Sequence, residues 1–440
     1  MDNIAGLIEN FFVRNRERFG YIHMGMFVVF MALIFIPPFL SLPAEDDAIW
    51  NNFTLISRFL IWGLWFPLVL LSVILFGRLW CGLLCPQGAL SEYAGRKGLN
   101  RPIPRWMRWE GMPVVSFIFI TTLAQLIGAR DYPTAAMEVL GGTMVLAAIV
   151  GFVYASGRRP WCRYLCPIGP LLGIFSRLGA VSFEKNGGNG KGCVCPTFIN
   201  TTNKVASSNC IECFRCVNPE TSSSLHLNIR RPGLEIEEIK TREPNLLEVF
   251  FLFLATGLAL GAFHWQVSPI YIQYKQAIGS FLLNYGLGDF IGKSGPWWIM
   301  VNYQEAGEVF NWLDFTSITS FMLLSMISIA VVLFLLTLLS AFMLRGKEEA
   351  MTKVARLGYL YTPVALISLV LGLGLILFQS LVSLGLNKET VHTIQWALFT
   401  GGGIWSLYLA VRLHGLFSPA MIPNILGIGL VAAAWNMALF

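Results

Sequence analysis

The chain has 440 residues, of which 55% are hydrophobic and only 13% are charged, whereas a soluble domain usually carries about 25% charged residues. This composition excludes a soluble globular enzyme and predicts an all-α polytopic membrane protein. The formal net charge of +6 does not indicate nucleic-acid binding, because lysine and arginine are concentrated in particular loops between apolar segments, as membrane orientation requires.

Nine apolar segments are candidate membrane spans, since a hydrocarbon layer about 30 Å thick needs roughly 20 helical residues to cross it. They are residues 21–42, 55–76, 113–128, 136–156, 246–265, 317–344, 359–384, 395–413 and 421–438. The third segment is the shortest. The arginine-rich residues 1–20 lead into the first span without a small-residue cleavage site, so we expect no removable signal peptide.

Basic residues in short loops predict the orientation of the chain. Six arginines and lysines lie between positions 78 and 108, after the second span, whereas the loop after the first span carries Glu45, Asp46 and Asp47. We therefore expect the N-terminus and residues 157–245 in the cytoplasm and residues 266–316 outside, in a bacterial inner membrane. The nine cysteines then lie on or near the cytoplasmic side, where thiols stay reduced, which favours metal or cluster ligation over disulfides.

An internal repeat organises the N-terminal part of the chain. A shift of 81 residues, from position 78 to position 159, aligns two copies of the pattern Arg-x-Trp-Cys-x-x-Leu-Cys-Pro-x-Gly. The aligned pairs are Arg78 and Arg159, Trp80 and Trp161, Cys81 and Cys162, Leu84 and Leu165, Cys85 and Cys166, Pro86 and Pro167, and Gly88 and Gly169. Residues 1–178 are therefore predicted to form duplicated two-helix membrane units, each ending in Cys-x-x-x-Cys-Pro.

Two further parts follow the repeat. Residues 179–245 contain a Gly-rich turn at 187–192 and the remaining five cysteines, which predicts a small, loop-rich cytoplasmic module of the ferredoxin type. Residues 246–440 are predicted to form a C-terminal membrane domain. Its segment 266–316 is expected to face outward and to lie on the membrane surface, where tryptophan is favoured.

The spacing Cys210-x-x-Cys213-x-x-Cys216 is typical of three ligands of one [4Fe-4S] cluster, whose fourth ligand is a distant cysteine followed by proline. Cys195 precedes Pro196 and is the predicted fourth ligand. The sequence thus predicts one [4Fe-4S] cluster in the ferredoxin-like module.

Three points about this cluster remain open in the sequence. Zinc also takes four cysteines, although a compact triple with a separate Cys-Pro favours iron and sulfur. Position 220, where a local fourth cysteine would fall, is Glu220, so the motif of a second ferredoxin cluster is missing. Cys193 is either an alternative ligand or an ordinary small residue.

The duplicated motifs predict a second centre. Cysteines at positions i and i+4 share one face of a helix, so the pairs Cys81/Cys85 and Cys162/Cys166 can bring four thiolates together near the membrane boundary. They would hold a second [4Fe-4S] cluster or another metal, with Arg78 and Arg159 offsetting its negative charge. The alternative is that the cysteines pack as small hydrophobic residues, which the shared flanking residues argue against.

These residues resemble a known family. The repeated Trp-Cys-x-x-x-Cys-Pro-x-Gly after paired helices, followed by a ferredoxin-like module, is similar to the membrane polyferredoxins of the NapH and NosR type, related also to the assembly protein CcoG. The resemblance covers about residues 20–245. It implies electron transfer between a cytoplasmic or quinone pool and a partner redox protein, in the service of a periplasmic reductase or a metal-handling system.

The chain departs from the family pattern in three respects. Its ferredoxin-like module has only three cysteines in the main motif, four further spans follow Trp265, and we find no N-terminal flavin-binding domain of the NosR kind. The extended C-terminal half resembles in outline the polyferredoxin subunit of bacterial ferrous-iron uptake systems.

Two histidines are further candidates for binding a metal. His264 ends the fifth span and His392 begins the eighth, both on the predicted outer side, so they would suit a haem or a metal that continues an electron path. The alternative is that each is an interfacial histidine hydrogen-bonded to water or backbone.

The sequence favours a membrane-bound iron-sulfur protein that passes electrons between a cytoplasmic or quinol donor and a membrane or periplasmic redox partner. It would be a component of an oxidoreductase or a metal-uptake system, with lipid, partner subunits and a quinone as its contacts and no catalytic residue of its own. The first alternative is a transport or assembly accessory whose cysteines bind iron or copper as cargo. The second is a structural scaffold that needs none of its cysteines.

Overall fold

A computed structural model of the chain describes residues 2–40, 43, 47, 49–185, 193–217 and 225–439. The expected turn at 187–192, together with Glu45, Asp46 and Glu220, lies outside the described residues. The α-helices are α1 (Asp2–Arg14), α2 (Phe19–Phe35), α3 (Phe53–Arg58), α4 (Phe66–Phe76), α5 (Leu79–Leu83), α6 (Pro86–Arg96), α7 (Met112–Leu126), α8 (Pro133–Ala136), α9 (Gly142–Tyr154), α10 (Pro160–Tyr164), α11 (Gly169–Ser176), α12 (Leu234–Glu237), α13 (Leu246–Val267), α14 (Pro269–Asn284), α15 (Gly288–Ile291), α16 (Trp312–Met343), α17 (Ala350–Leu357), α18 (Thr362–Leu373), α19 (Leu375–Ser383), α20 (Lys388–His414) and α21 (Ile422–Leu439).

Eight helical stretches in the described part of the chain are long and apolar enough to cross a membrane. They are Arg16–Phe39, Phe53–Phe76, Pro133–Tyr154, Leu246–Val267, Trp312–Met343, Ala350–Leu373, Lys388–His414 and Pro419–Met437. The apolar helix α7 is shorter and corresponds to the shortest predicted span. The prediction of an all-α polytopic membrane protein is confirmed.

The span predicted at 359–384 differs from the observed helices. Helical structure begins at Ala350 and is interrupted at Gly374. Hydropathy did not reveal the first turns because they contain Lys353 and Arg356. The ammonium group of Lys353 donates hydrogen bonds to the carbonyls of Leu344 (2.6 Å) and Gly346 (3.2 Å), so the charge binds the C-terminal end of α16.

The two repeat copies pack against each other through α6 and α9. A Cβ atom on Gly151 of α9 would lie closer than van der Waals contact to the carbonyl oxygen of Ser91 in α6, and one on Gly95 of α6 would collide with Ala155. Glycine at these positions therefore permits a close approach of the two helices. This approach fixes the first Cys-x-x-x-Cys-Pro motif against the second unit.

Each unit also contains a π-helical segment. The stretch Phe59–Trp65 joins α3 to α4, and Met137–Gly141 joins α8 to α9, so both lie in the helix that leads to a cysteine motif. π-Helical turns are rare and often accompany functional sites. We call the membrane boundary reached at Phe76, just before Cys81, the cysteine side, and the opposite boundary the far side.

The cysteine module is organised by one antiparallel strand pair. Strands β1 (Val181–Lys185) and β2 (Leu225–Ile229) pair in register from Val181 opposite Ile229 to Lys185 opposite Leu225. Phe183, on β1, packs against Phe214 of the cysteine loop. Helix α1 completes this small core, because the ring of Phe12 stacks on that of Phe214 at a centroid distance of 4.2 Å. The N-terminal helix and the cysteine module thus lie together.

The C-terminal domain is a helical bundle around a buried central helix. Helices α17 and α18 contact α4, α13, α16, α20 and α21, and residues 353–372 are all buried. The segment between α13 and α16 lies on the far side and contains the short strand pair β3 (Asn302–Tyr303) and β4 (Glu308–Val309). The side chains of Trp297 and Trp298 there are both 53% exposed, which suits a membrane surface.

Candidate functional site

The four cysteines of the duplicated motifs come together at the junction of the two units. Burial raises the pKa of Cys85 to about 11 and that of Cys166 to about 12, and in both cases nearby thiols of the group raise it further. Burial also raises the pKa of Cys162, and the Cys85, Cys166 and Cys81 thiols add to this effect. Thiols of one pair therefore lie near thiols of the other, and the assignment of one shared centre stays a prediction.

The glycine at the same position in both motifs has a steric reason. A Cβ atom on Gly88 would lie 3.1 Å from the Sγ of Cys162, which belongs to the other copy. A Cβ atom on Gly169 would lie 3.6 Å from the Sγ of Cys166. The final glycine of each motif thus leaves room beside a thiol.

Two buried arginines flank these four thiols. Arg78 is buried, and its Nη2 lies 4.0 Å from the Sγ of Cys81. Burial alone would lower the pKa of Arg78, but the thiols of Cys81, Cys166 and Cys162 raise it. Its Nε has no hydrogen-bond partner among the described residues. A buried cation with a free donor beside four thiols fits a thiolate-bound, negatively charged group.

Arg159, the repeat partner of Arg78, connects the copies. Its Nη1 donates hydrogen bonds to the carbonyls of Cys81 (2.9 Å) and Gly82 (3.3 Å). Its Nε donates to the carboxylate of Glu92 at 2.9 Å. Because its side chain is 1% exposed, the guanidinium is a fixed positive charge between the first motif and the second.

The remaining five cysteines form a second group in the module. Burial raises the pKa of Cys210 to about 12, and it also raises that of Cys213, to which the Cys195 thiol contributes. The hydrogen bond between Cys193 and Cys216 lowers the pKa of Cys193 and raises that of Cys216. Cys193, which the sequence left open, therefore touches the predicted ligand set.

The cysteine loop of the module is tightly wound. Glu212 and Phe214, which flank Cys213, have φ angles of 52° and 56°, in the left-handed region that residues other than glycine seldom adopt. The Glu212 carboxylate is buried, with both oxygens unpaired among the described residues, and burial raises its pKa to about 8. Such local strain is typical of backbone wrapped around a bound group.

The two cysteine groups are in direct contact at Gly82. A Cβ atom there would lie 3.0 Å from the backbone nitrogen of Cys213 and 3.1 Å from its Cα, and it would collide with the carbonyl oxygen of Ile211. The backbone nitrogen of Arg159 donates to the carbonyl of Pro196 at 2.9 Å. The residue after Cys81 therefore packs on the backbone of a cysteine of the other group.

Glu92 is a site residue that the sequence analysis missed. Its carboxylate binds Arg159, Arg96 and Arg215. Burial would raise its pKa, but Arg159 and Arg215 outweigh burial and lower the pKa to about 2. Since Arg215 lies between Cys213 and Cys216, Glu92 ties the two groups together. No spacing pattern links Glu92 to either motif, so only the tertiary structure reveals this role.

Two cavities adjoin the cysteine groups. The first, which we call the junction cavity, has a volume of about 680 Å³, and both Gly82 and Cys213 line it. The second, the central cavity, has a volume of about 510 Å³. Gln87 and Pro167, which follow the two motifs, line one of its ends, and Arg130 and Glu308 on the far side line the other.

The histidines predicted to bind a metal lie away from the motifs in sequence. The Nε2 of His264 lies 2.9 Å from the carbonyl oxygen of Ala434, as the interfacial alternative describes. Within the described ranges, no three His, Cys, Asp or Glu side chains are close enough to hold one metal ion. A cubane distributes its four thiolates over four irons, so its ligands stand wider apart than those of one ion. The metal role of His264 and His392 stays a prediction.

Comparison with known families supports the duplicated motifs in particular. Residues 59–106 and 139–186 each match a family described as a 4Fe-4S binding domain. The two matches contain all four cysteines of the duplicated motifs and none of the five in the module. The repeat seen in the sequence is thus a duplication of this domain.

Curated relatives match part of the chain. The Escherichia coli K12 protein named "Putative electron transport protein YccM" is 27% identical over 230 residues, which cover 45% of this chain and 64% of YccM. An uncharacterized protein of Methanocaldococcus jannaschii is 29% identical over 155 residues, covering 32% and 61%. The ferredoxin-type protein NapH of E. coli K12 is 24% identical over 168 residues, covering 35% and 53%.

The chain therefore spans less than two thirds of the length of these relatives. No solved structure matches it. The two 4Fe-4S binding domains and these relatives confirm the resemblance drawn from the motifs. The chain is thus a membrane protein with a duplicated 4Fe-4S binding domain, related to the membrane polyferredoxins.

Proposed function

We propose that the chain is a membrane-bound electron-transfer protein with two [4Fe-4S] clusters side by side at the cytoplasmic boundary of the bacterial inner membrane. The duplicated domain and the electron-transport relative support the iron-sulfur role. One cluster would be held by Cys81, Cys85, Cys162 and Cys166, and the other by Cys195, Cys210, Cys213 and Cys216. A bound [4Fe-4S] cluster supplies one-electron transfer.

The contact at Gly82 is the observation that carries this proposal. No side chain separates the backbone after Cys81 from the backbone at Cys213, so the two cysteine groups have one shared wall. Electron exchange requires a short separation, and a glycine at this wall keeps it short. The protein's own contribution is therefore to hold two buried ligand sets at a fixed, minimal distance.

Buried charge prepares both ligand sets. Arg78 donates from Nη1 to the carbonyl of Ser208 at 2.7 Å, two residues before Cys210, while its Nη2 faces Cys81. Arg159 lies within electrostatic range of both Cys162 and Cys213. Each arginine thus adjoins both groups, and a positive charge at that position stabilises thiolate ligands and an electron held between them.

We infer that the electron donor enters at the junction cavity. Apolar side chains of the first span, Phe19, Met24 and Phe27, line one wall, which suits the ring and tail of a lipid-soluble quinol. The Nε2 of His23 donates to the carbonyl oxygen of Gly82 at 3.3 Å, which leaves the Nδ1 of the neutral ring as a proton acceptor beside the cavity. A cytoplasmic protein donor would instead bind outside this cavity.

A test of the donor site fills the cavity. Ala89 lines the junction cavity, and Ala89→Trp is expected to slow reduction by a quinol at least about tenfold, which corresponds to about 1.4 kcal/mol. Dithionite should still reduce the variant fully. Reduction by quinol at the parent rate would place the donor elsewhere.

We infer that the acceptor is a membrane or periplasmic redox partner on the far side. The central cavity leads from Pro167, next to Cys166, towards Arg130 and Glu308, and aromatic side chains such as Trp62, Phe117 and Phe263 line it. The partner would be another subunit of an oxidoreductase or of a metal-uptake system, as the resemblance to the iron-uptake polyferredoxins implies.

Iron counting tests the two ligand sets separately. Protein purified without oxygen is expected to contain about eight irons and to show reducible [4Fe-4S] signals in its EPR spectrum. Cys162→Ser and Cys213→Ser should each remove about four irons, whereas Cys193→Ser should retain them. Unchanged iron in Cys162→Ser would eliminate the membrane-boundary cluster, and unchanged iron in Cys213→Ser would eliminate the module cluster.

One observation favours the cargo-binding alternative. Cys193 is exposed, and its hydrogen bond with Cys216 lowers its pKa to about 6. The module therefore presents to solvent a fifth thiolate, in addition to the four proposed ligands of its cluster. A metal accessory would be colourless when purified and would bind copper or zinc stoichiometrically through Cys193. Loss of that binding in Cys193→Ser, in a protein without EPR signals, would establish the accessory in place of the electron carrier.

A further inference from the structure

A small polar cavity lies at the far side, where the two repeat units meet again. It has a volume of about 30 Å³. It lies between the start of the second span, represented by Thr54, Ser57 and Arg58, and the loop before α8, represented by Arg130 and Asp131. The cysteines join the two units at one membrane boundary, and this cavity separates them at the other. We call it the far-side cavity.

Hydrogen-bonding groups converge on this cavity without partners. The hydroxyls of Thr54 and Ser57, the Nε of Arg58, and the Nε and Nη1 of Arg130 are all buried and unpaired among the described residues. Thr54 is 6% exposed and Ser57 is 2% exposed. Buried polar atoms in folded proteins are nearly always paired, so five unpaired atoms around one small space indicate a bound species.

The chemistry of the five atoms restricts that species. Guanidinium nitrogens only donate hydrogen bonds, whereas hydroxyls both donate and accept, so the species must accept hydrogen bonds. Arg58 is paired with Asp131, and Arg130 shares that carboxylate electrostatically and lies over the ring of Phe263, 5.8 Å from its Cζ. Two cations and one anion leave one uncompensated positive charge, and a buried charge without a partner is costly.

The volume of the far-side cavity also restricts the bound species. The volume of about 30 Å³ exceeds the roughly 10–15 Å³ that one water needs, so the cavity has room for waters or for one small anion. The side chains of Arg58 and Asp131 are 37% and 51% exposed, which leaves a path to solvent. We propose that the far-side cavity binds one small monovalent anion of halide size, held by Arg130, Thr54 and Ser57.

This site is independent of the iron-sulfur proposal, since none of its residues adjoins a cysteine. An anion bound there would be shared by the helix that leads to Cys81 and the loop that precedes the helix to Cys162. It would therefore stabilise the relative position of the two units at the boundary opposite the cysteines.

The test measures thermal unfolding of the intact purified chain in chloride, bromide and gluconate at constant ionic strength. We expect chloride and bromide to raise the Tm by about 2–4 °C relative to gluconate, with an effect that saturates as the halide concentration rises. We also expect the ³⁵Cl NMR line of chloride to broaden when the protein is added. Thr54→Val combined with Ser57→Ala should abolish both effects while keeping side-chain volume, and Arg130→Gln should do the same. Arg101→Gln, which removes an exposed arginine elsewhere, should retain them.

Two outcomes would overturn the proposal. Equal Tm values in all three salts, with an unbroadened ³⁵Cl line, would mean that the cavity holds water only. A halide effect that persists in the Thr54/Ser57 double variant would locate the anion elsewhere. The double variant decides the matter even where Arg130→Gln does not fold.

Discussion

Replacing Gly82 with alanine is the sharpest test of the contact between the two cysteine groups. The added methyl group would collide with the carbonyl oxygen of Ile211 and approach the nitrogen of Cys213 to 3.0 Å. Both neighbours are backbone atoms, so no side-chain rotation can relieve the overlap. Overpacking of this kind costs about 1–3 kcal/mol. The overlap can be removed only if the cysteine module moves away from the first motif.

The matched control is Gly142→Ala. Gly142 also lies in a helix, but a Cβ atom there meets nothing within 4 Å, so its replacement should be neutral or stabilising by up to about 1 kcal/mol. The assay compares thermal unfolding of the parent and both variants with the magnetic interaction between the reduced centres in EPR. We expect Gly82→Ala to lower the Tm and to weaken that interaction at unchanged iron content.

Equal behaviour of Gly82→Ala and Gly142→Ala in both measurements would show that Gly82 does not hold the two cysteine groups together. A lower Tm with an unchanged magnetic interaction would show that the contact at Gly82 stabilises the fold but does not set the distance between the two centres. Loss of iron from the module alone would show that the contact positions Cys213 as a ligand.

Further predictions concern the charges and helices around the site. Arg159→Gln should lower unfolding free energy by about 3–5 kcal/mol, because it leaves the buried Glu92 carboxylate short of a partner, and calorimetry measures this. The lowered pKa of Glu92, about 2 against an ordinary 4.5, contributes stability on the order of 3 kcal/mol above pH 4.5 that is lost as pH falls toward 2; denaturation of Glu92→Gln should lack that dependence. Gly151→Ala should cost about 1–3 kcal/mol by forcing α6 from α9, measured by Tm. Because the His264 ring binds a carbonyl, we expect no Soret band in purified protein, and a band abolished by His264→Ala would contradict this.

The membrane architecture could be predicted because it depends on composition. Apolar runs set the spans, and the observed stretch Phe53–Phe76 differs from the predicted 55–76 by two residues. The start of the helix at Ala350 was harder to predict, because Lys353 lowers the local hydropathy and because neighbouring helices bury this segment. The hydropathy of a segment predicts whether it is stable in lipid. It does not predict which other helices will bury that segment.

The cysteine groups were predictable for a different reason. A duplicated motif requires equivalent placement of its two copies, so the proximity of Cys81 and Cys85 to Cys162 and Cys166 followed from the repeat. The roles of Gly82 and Glu92 did not follow, because each contacts a residue more than 100 positions away, Cys213 and Arg215 respectively. Such contacts depend on how the module docks, which no local spacing encodes.

The buried central helix of the C-terminal domain has a consequence for biogenesis. Ala350–Leu373 is enclosed by α4, α13, α16, α20 and α21, so its surroundings in the finished protein are side chains and not acyl chains. Two of those neighbours, α20 and α21, are synthesised after it. During translation the helix must therefore be in contact with lipid or with the insertion machinery until the later helices enclose it. Lys353 and Arg356 lie at its cysteine-side end throughout. Assembly of this domain is thus a late event, completed only when the last spans arrive.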